Sequence, residues 1–114
     1  MGSHAATAAE LLGDRATVDA VLKDYTTAPI SEMDRAMFRL IDKIATDSTS
    51  IRQADIDEAK AAGLSDAALY DAITVCSLFQ FYNTWIDATG VHDLPAAVYE
   101  TMGKRMANGR YAPE

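Results

Sequence analysis

The chain has 114 residues, 49% hydrophobic and 24% charged, with 17 acidic against 10 basic side chains and a net charge of −7. That length and balance fit one soluble domain over 1–114 with a real core, and the acidic excess excludes partners that need a basic face, nucleic acid and anionic membrane surfaces among them. One cysteine, Cys76, excludes an intrachain disulfide, and with only His4 and His92 beside it no standard zinc signature can be written, so neither metal nor cofactor is expected.

The periodicity predicts helices throughout. Ala5, Ala8, Ala9 and Leu12 share one helical face that Gly13 ends. Asp14 then offers an N-cap to a second helix with Val18, Val21, Leu22 and Tyr25 in phase. "TTAPI" breaks it, because Pro29 disfavours helix at Ala28. "SEMD" (Ser31 to Asp34) has capping-box form, and Met33, Met37, Leu40, Ile41 and Ile44 follow on one face up to the polar stop "TDSTS". A short fourth helix over about Gln53 to Ala62 carries Asp55, Asp57 and Glu58 toward its positive end and closes at Gly63.

"GLSDAALYDAITVCSLFQFYNTWIDATG" is the longest element, capped by Ser65 and closed by Gly90. It is apolar on nearly every side, which marks a helix that is central or lies in a subunit interface. Pro95 fits the first turn of a last helix to about Met106, and 108–114 reads as a flexible tail. The expected fold is therefore all-α, a compact bundle of about six helices with one long central helix. The chain shows no basic region leading into an apolar stretch. Its most apolar-rich stretch, Ala67 to Ile86, carries Asp71, Thr74, Ser77, Gln80, Asn83 and Thr84, too much polarity for a lipid-spanning helix. A cytoplasmic protein without a membrane partner is the expectation.

Candidate chemistry is sparse. Cys76 lies mid-helix, where nothing in sequence lowers a thiol pKa, so it reads as a small buried apolar residue. "FQFYNTW" is dense in aromatics, which suit core packing or an oligomer interface, or else a pocket for a small apolar ligand. Phe79, Gln80, Tyr82 and Asn83 are the pocket candidates; Gln80 and Asn83 need partners if buried, either between helices or in a pocket. The acidic groups at helix starts read as a solvated face, and His92 beside Asp93 as a solvated or capping residue.

From Leu11 to about Asp93 the chain resembles the alkylhydroperoxidase D-like proteins of the carboxymuconolactone decarboxylase superfamily, the peroxidase-related branch above all. "LLGDRATVDAVLKDYTTAPISEMDRAMFRLIDKIATD" resembles the segment after that family's active site, and "ADIDEAKAAGLSDAALYDAITVCSLFQFYNTWIDATGV" is similar over the acid-rich short helix, the A-A-G-L-S-D turn, the long helix and the N-x-x-x-D-A-x-G-V ending. Arg52 departs from the pattern, standing where relatives carry a capping Thr or Ser. The resemblance implies an all-α fold, homo-oligomers, and in redox-active members a C-x-x-C-x-x-x-H motif at a helix start. There, helix amides and an imidazole lower a thiol pKa, and a second thiol resolves the sulfenic acid left by a hydroperoxide.

This sequence has no C-x-x-C. In register with the motif, His4 stands in the histidine's place and the second cysteine would fall immediately before Met1. His4 is thus the one candidate catalytic residue, a remnant of the motif in a chain truncated relative to the family. The competing reading takes Met-Gly-Ser-His as vector sequence. The functional expectation is a redox- or antioxidant-related alkylhydroperoxidase D-like protein without dithiol peroxidase activity. The alternatives are a non-enzymatic helical module that oligomerises or binds an apolar ligand, and a cofactor-free decarboxylase-type lyase.

Overall fold

The computed structural model describes residues 2–109. The expectations about Met1 and about the tail from Arg110 onward lie outside the described residues. The order is α1 (Gly2–Leu12), α2 (Arg15–Asp24), α3 (Glu32–Asp47), a 3-10 turn (Ser48–Ser50), α4 (Gln53–Ala61), α5 (Asp66–Thr89) and α6 (Ala96–Ala107). Among the described residues the chain is all-α, with six α-helices and no strand; the longest helix, α5, has 24 residues. None of the helices is long and apolar enough to cross a membrane among those residues. The described residues divide into two units, one made of 2–29 and 92–109, the other of 30–91.

In the first unit, α1 packs along α6 and meets α2. Asp14 caps α2, its carboxylate accepting from the Thr17 N–H at 3.0 Å and the Thr17 hydroxyl at 2.6 Å. Gly13, at φ +66°, takes the left-handed turn between α1 and α2. The expected α1 face is corrected in phase. The buried residue is Ala6, and Leu12 is exposed. An alanine-rich helix carries almost no periodic signal, and here the partner sets the phase: Ala6 lies against Gly103, a gap in the surface of α6. Leu22 is likewise exposed, whereas Val18 of the same face is buried. The last helix starts one residue later than expected, with Pro95 as N-cap rather than first-turn residue. Tyr99 locks that start, its hydroxyl accepting from the Leu94 N–H and donating to Asp93, each at 2.9 Å.

In the second unit, α3 packs on α4 and α5. The Ser31 hydroxyl accepts from the Asp34 N–H at 3.1 Å and donates to the Asp34 carboxylate at 2.6 Å. The core gathers Ala36, Leu40 and Ile44 from α3, Ala59 from α4, Leu64 from the following turn, and Leu69 and Cys76 from α5. Met37, Ile41, Ile51 and Ile56 pack around it. Met33, expected on the same face, is exposed and reaches over Gly63, which has φ +112°. Ser65 caps α5 by accepting from the Ala68 N–H at 3.1 Å, and Gly90 closes it in the left-handed region at φ +71°.

Arg52 leaves α4 without a side-chain cap; the Asp55 carboxylate compensates by accepting from the Arg52 N–H at 2.7 Å. Asp55 also receives the Lys43 ammonium on both oxygens at 2.8 Å. Beside this pair, Arg39 bridges Glu58 and Glu32. The Lys43 contact, and then the Arg52 N–H, hold the Asp55 carboxyl below its ordinary value of 3.8. A carboxyl lowered on folding stabilises the native state above the unfolded value and loses that contribution as pH falls through the folded one. Asp55→Asn is therefore expected to lower the melting temperature at neutral pH, with the gap to wild type closing below pH 3.8. Melting curves across the acid range check this, and a gap independent of pH would contradict it.

Candidate functional site

The predicted site residues fall in separate units. His4 stands exposed on α1, with the Ser3 hydroxyl 3.5 Å from its Nδ1, at the outer limit of a hydrogen bond. Thr7 holds this turn by donating to the Ser3 carbonyl at 2.8 Å. Cys76 belongs to the other unit, mid-way along α5 and buried, its Sγ 3.9 Å from the Ile41 carbonyl. Burial pushes its thiol above the ordinary value, because the thiolate would lose its hydration. A thiol held in this way is a poor nucleophile at neutral pH, since the thiolate is the reactive form.

The pocket candidates Phe79, Gln80, Tyr82 and Asn83 are all exposed on α5. Advancing 100° per residue, Phe79, Gln80 and Asn83 lie within roughly 60° of Cys76, the side that meets α3, while Tyr82 lies about 120° away. The four side chains therefore do not converge on one cavity. Gln80 makes the contact between helices, donating to the Ala45 carbonyl at 3.0 Å near the end of α3. Every residue from Ser77 to Gly90 is exposed, including Leu78 at 49%, Phe81 at 62%, Tyr82 at 52% and Trp85 at 56%. The Phe81 and Tyr82 rings meet edge to face, with centroids 5.4 Å apart and planes at 72°.

Two depressions lie elsewhere. In the first unit, a recess of about 390 Å³ is lined by Ala6, Ala9 and Gly13 together with the charged Glu10, Glu100, Arg15 and Lys104. Arg15 is tied to Asp19 at 2.8 Å. In the second unit, a space of about 50 Å³ sits among Arg39, Lys43, Asp55 and Glu58, too small for more than water. The charged lining of the recess was not legible in sequence, because Glu10 and Glu100 are far apart in the chain and only the α1–α6 packing brings them together. The second cluster left a local signal: Arg39 and Lys43 four residues apart on α3 and Asp55 and Glu58 three apart on α4, each pair on one helical face.

The arrangement lacks what dithiol chemistry needs, a second thiol and a site for the first near a helix start. What it offers is a half-helix of exposed aromatic and aliphatic side chains. Compared with models of known protein families and with curated proteins, the chain matches none.

Proposed function

We propose that this chain is a helical self-association module, similar to the alkylhydroperoxidase D-like group, that does not reduce hydroperoxides by a dithiol route within its 114 residues. The carrying observation is the exposure of α5 from Ser77 to Gly90, where Leu78, Phe81, Tyr82 and Trp85 stand open to solvent. Apolar patches of this size mark interaction sites. A homo-oligomer covers the patch with the same surface from another copy. The resemblance to a family of homo-oligomers supports the same reading. The apolar-ligand alternative gains nothing from the geometry, since α5 aromatics line neither depression.

Two measurements test this. Light scattering across micromolar to millimolar concentrations is expected to give the mass of two or more chains. Replacing both anchors, Phe81→Asp with Trp85→Asp, is expected to weaken association by roughly 1,000-fold at unchanged helicity, since buried aromatic anchors cost about 2 kcal/mol each when lost. A wild-type chain that stays single throughout overturns the assembly reading. Consumption of an alkyl hydroperoxide with a dithiol reductant is expected at the uncatalysed rate. Turnover that Cys76→Ser abolishes would overturn the chemical half.

A further inference from the structure

The exposed α5 stripe has a direction-independent spacing. Leu78, Phe81, Tyr82 and Trp85 follow one another by three, one and three residues, and all four are exposed. On a helix they form one face, roughly opposite the side on which Cys76 meets the core. A two-fold axis perpendicular to the helix, passing between Phe81 and Tyr82, maps this set onto itself. Resting on the self-association reading, we propose that two copies pair through α5 in antiparallel register about that axis. Leu78 of one copy seats against Trp85 of the other, and Phe81 against Tyr82.

Three features favour this over a parallel pair. Parallel pairing sets Trp85 on Trp85 and Leu78 on Leu78, whereas antiparallel pairing sets the larger Trp85 on the smaller Leu78 at both ends of the seam. Asp71 lies two turns before Leu78 on the same face and is exposed. A parallel pair would stack Asp71 on Asp71 in a chain already at −7, and the antiparallel pair separates them. The edge-to-face Phe81–Tyr82 pair falls at the axis, where two copies bring four rings together. The stripe with its flanks Thr74 and Val75 offers on the order of 1,000 Å² over both copies, the lower bound for a specific interface.

Single-cysteine variants test the register. In a Cys76→Ala background, Leu78→Cys and Trp85→Cys chains are purified separately, one with a mass tag, and oxidised alone and mixed. The expected result is efficient disulfide formation only in the mixture, several-fold above either variant alone. A wild-type dimer whose Leu78→Cys chains cross-link best with themselves overturns the antiparallel register and leaves self-association standing; a single-chain wild type in the same light-scattering run overturns both. A nitroxide on Thr74→Cys gives a second readout that needs no disulfide geometry. Antiparallel pairing places the two labels more than about 20 Å apart, and parallel pairing about 10 Å apart. The short distance would contradict the proposal.

Discussion

Leu40→Ala is expected to lower the unfolding free energy by about 3 kcal/mol, in the range seen when a buried leucine is truncated and its cavity cannot close. Leu40 is 4% exposed and sits one turn from both Ala36 and Ile44 on α3. The cluster around it joins three segments, with Ala59 on α4, Leu64 on the turn, and Leu69 and Cys76 on α5. Two of those neighbours are alanines, whose short side chains cannot swing into the vacated space, so collapse would require whole helices to move. Against a total stability of roughly 5–15 kcal/mol for a domain, the loss is large. Leu22→Ala is the internal control: Leu22 is 53% exposed, and its removal is expected to cost under about 1 kcal/mol. Urea unfolding followed by far-UV circular dichroism checks both values. A loss at Leu40 no larger than that at exposed Leu22 would mean that the α3 face is not a tightly packed core. The same variant bears on assembly, because α5 is anchored to its unit through α3 and the packing around Leu69 and Cys76.

The parts of this fold that were legible in sequence are those decided within a few residues. Asp14, Ser31 and Ser65 cap helices because their side chains reach an N–H three residues on, and Gly13 and Gly90 end helices because left-handed backbone suits glycine. The α3 stripe was readable at Leu40 and Ile44, with Met37 and Ile41 packed beside them, because these residues recur every three to four positions among charged neighbours; buried Ala36 carried too little contrast to be picked out, and Met33 is exposed. What was not legible depends on a partner distant in the chain. The phase of α1 follows from a gap in α6, and no periodicity among alanines reports it. The apolar character of α5 was plain, but its composition could not say that every residue from Ser77 to Gly90 is exposed. The candidate site divides in the same way. The buried, mid-helix nature of Cys76 followed from its neighbours, whereas the spread of Phe79, Gln80, Tyr82 and Asn83 over different sides of α5 speaks against the single pocket that their closeness in sequence suggested.

Gly103→Val is expected to destabilise the chain by about 3 kcal/mol, and Gly103→Ala by about 1–2 kcal/mol, although both remove a helix-interior glycine. Alanine ordinarily gains roughly 0.5–1 kcal/mol over glycine in a helix, so the sign of the Gly103→Ala effect is itself the test. Gly103 is buried in α6, and a Cβ added to it would stand 2.5 Å from the Ala6 Cβ, 2.9 Å from the Ala6 carbonyl carbon and 3.0 Å from the Thr7 nitrogen. Two of those atoms are backbone, so no rotamer change can relieve the overlap and α1 must move away from α6. Valine adds two methyl groups to the same collision and, being β-branched, loses further helix propensity. Ala6→Gly in the Gly103→Ala chain removes the nearest of the three contacts but leaves the two backbone ones. The double variant should therefore recover part of the loss, with a coupling of about 1 kcal/mol, and not all of it. Thermal melts of the four chains of this cycle decide the matter. A Gly103→Ala protein more stable than wild type would show that α1 and α6 have room to spare at this crossing, and that Ala6 takes its buried position from something other than the gap opposite it.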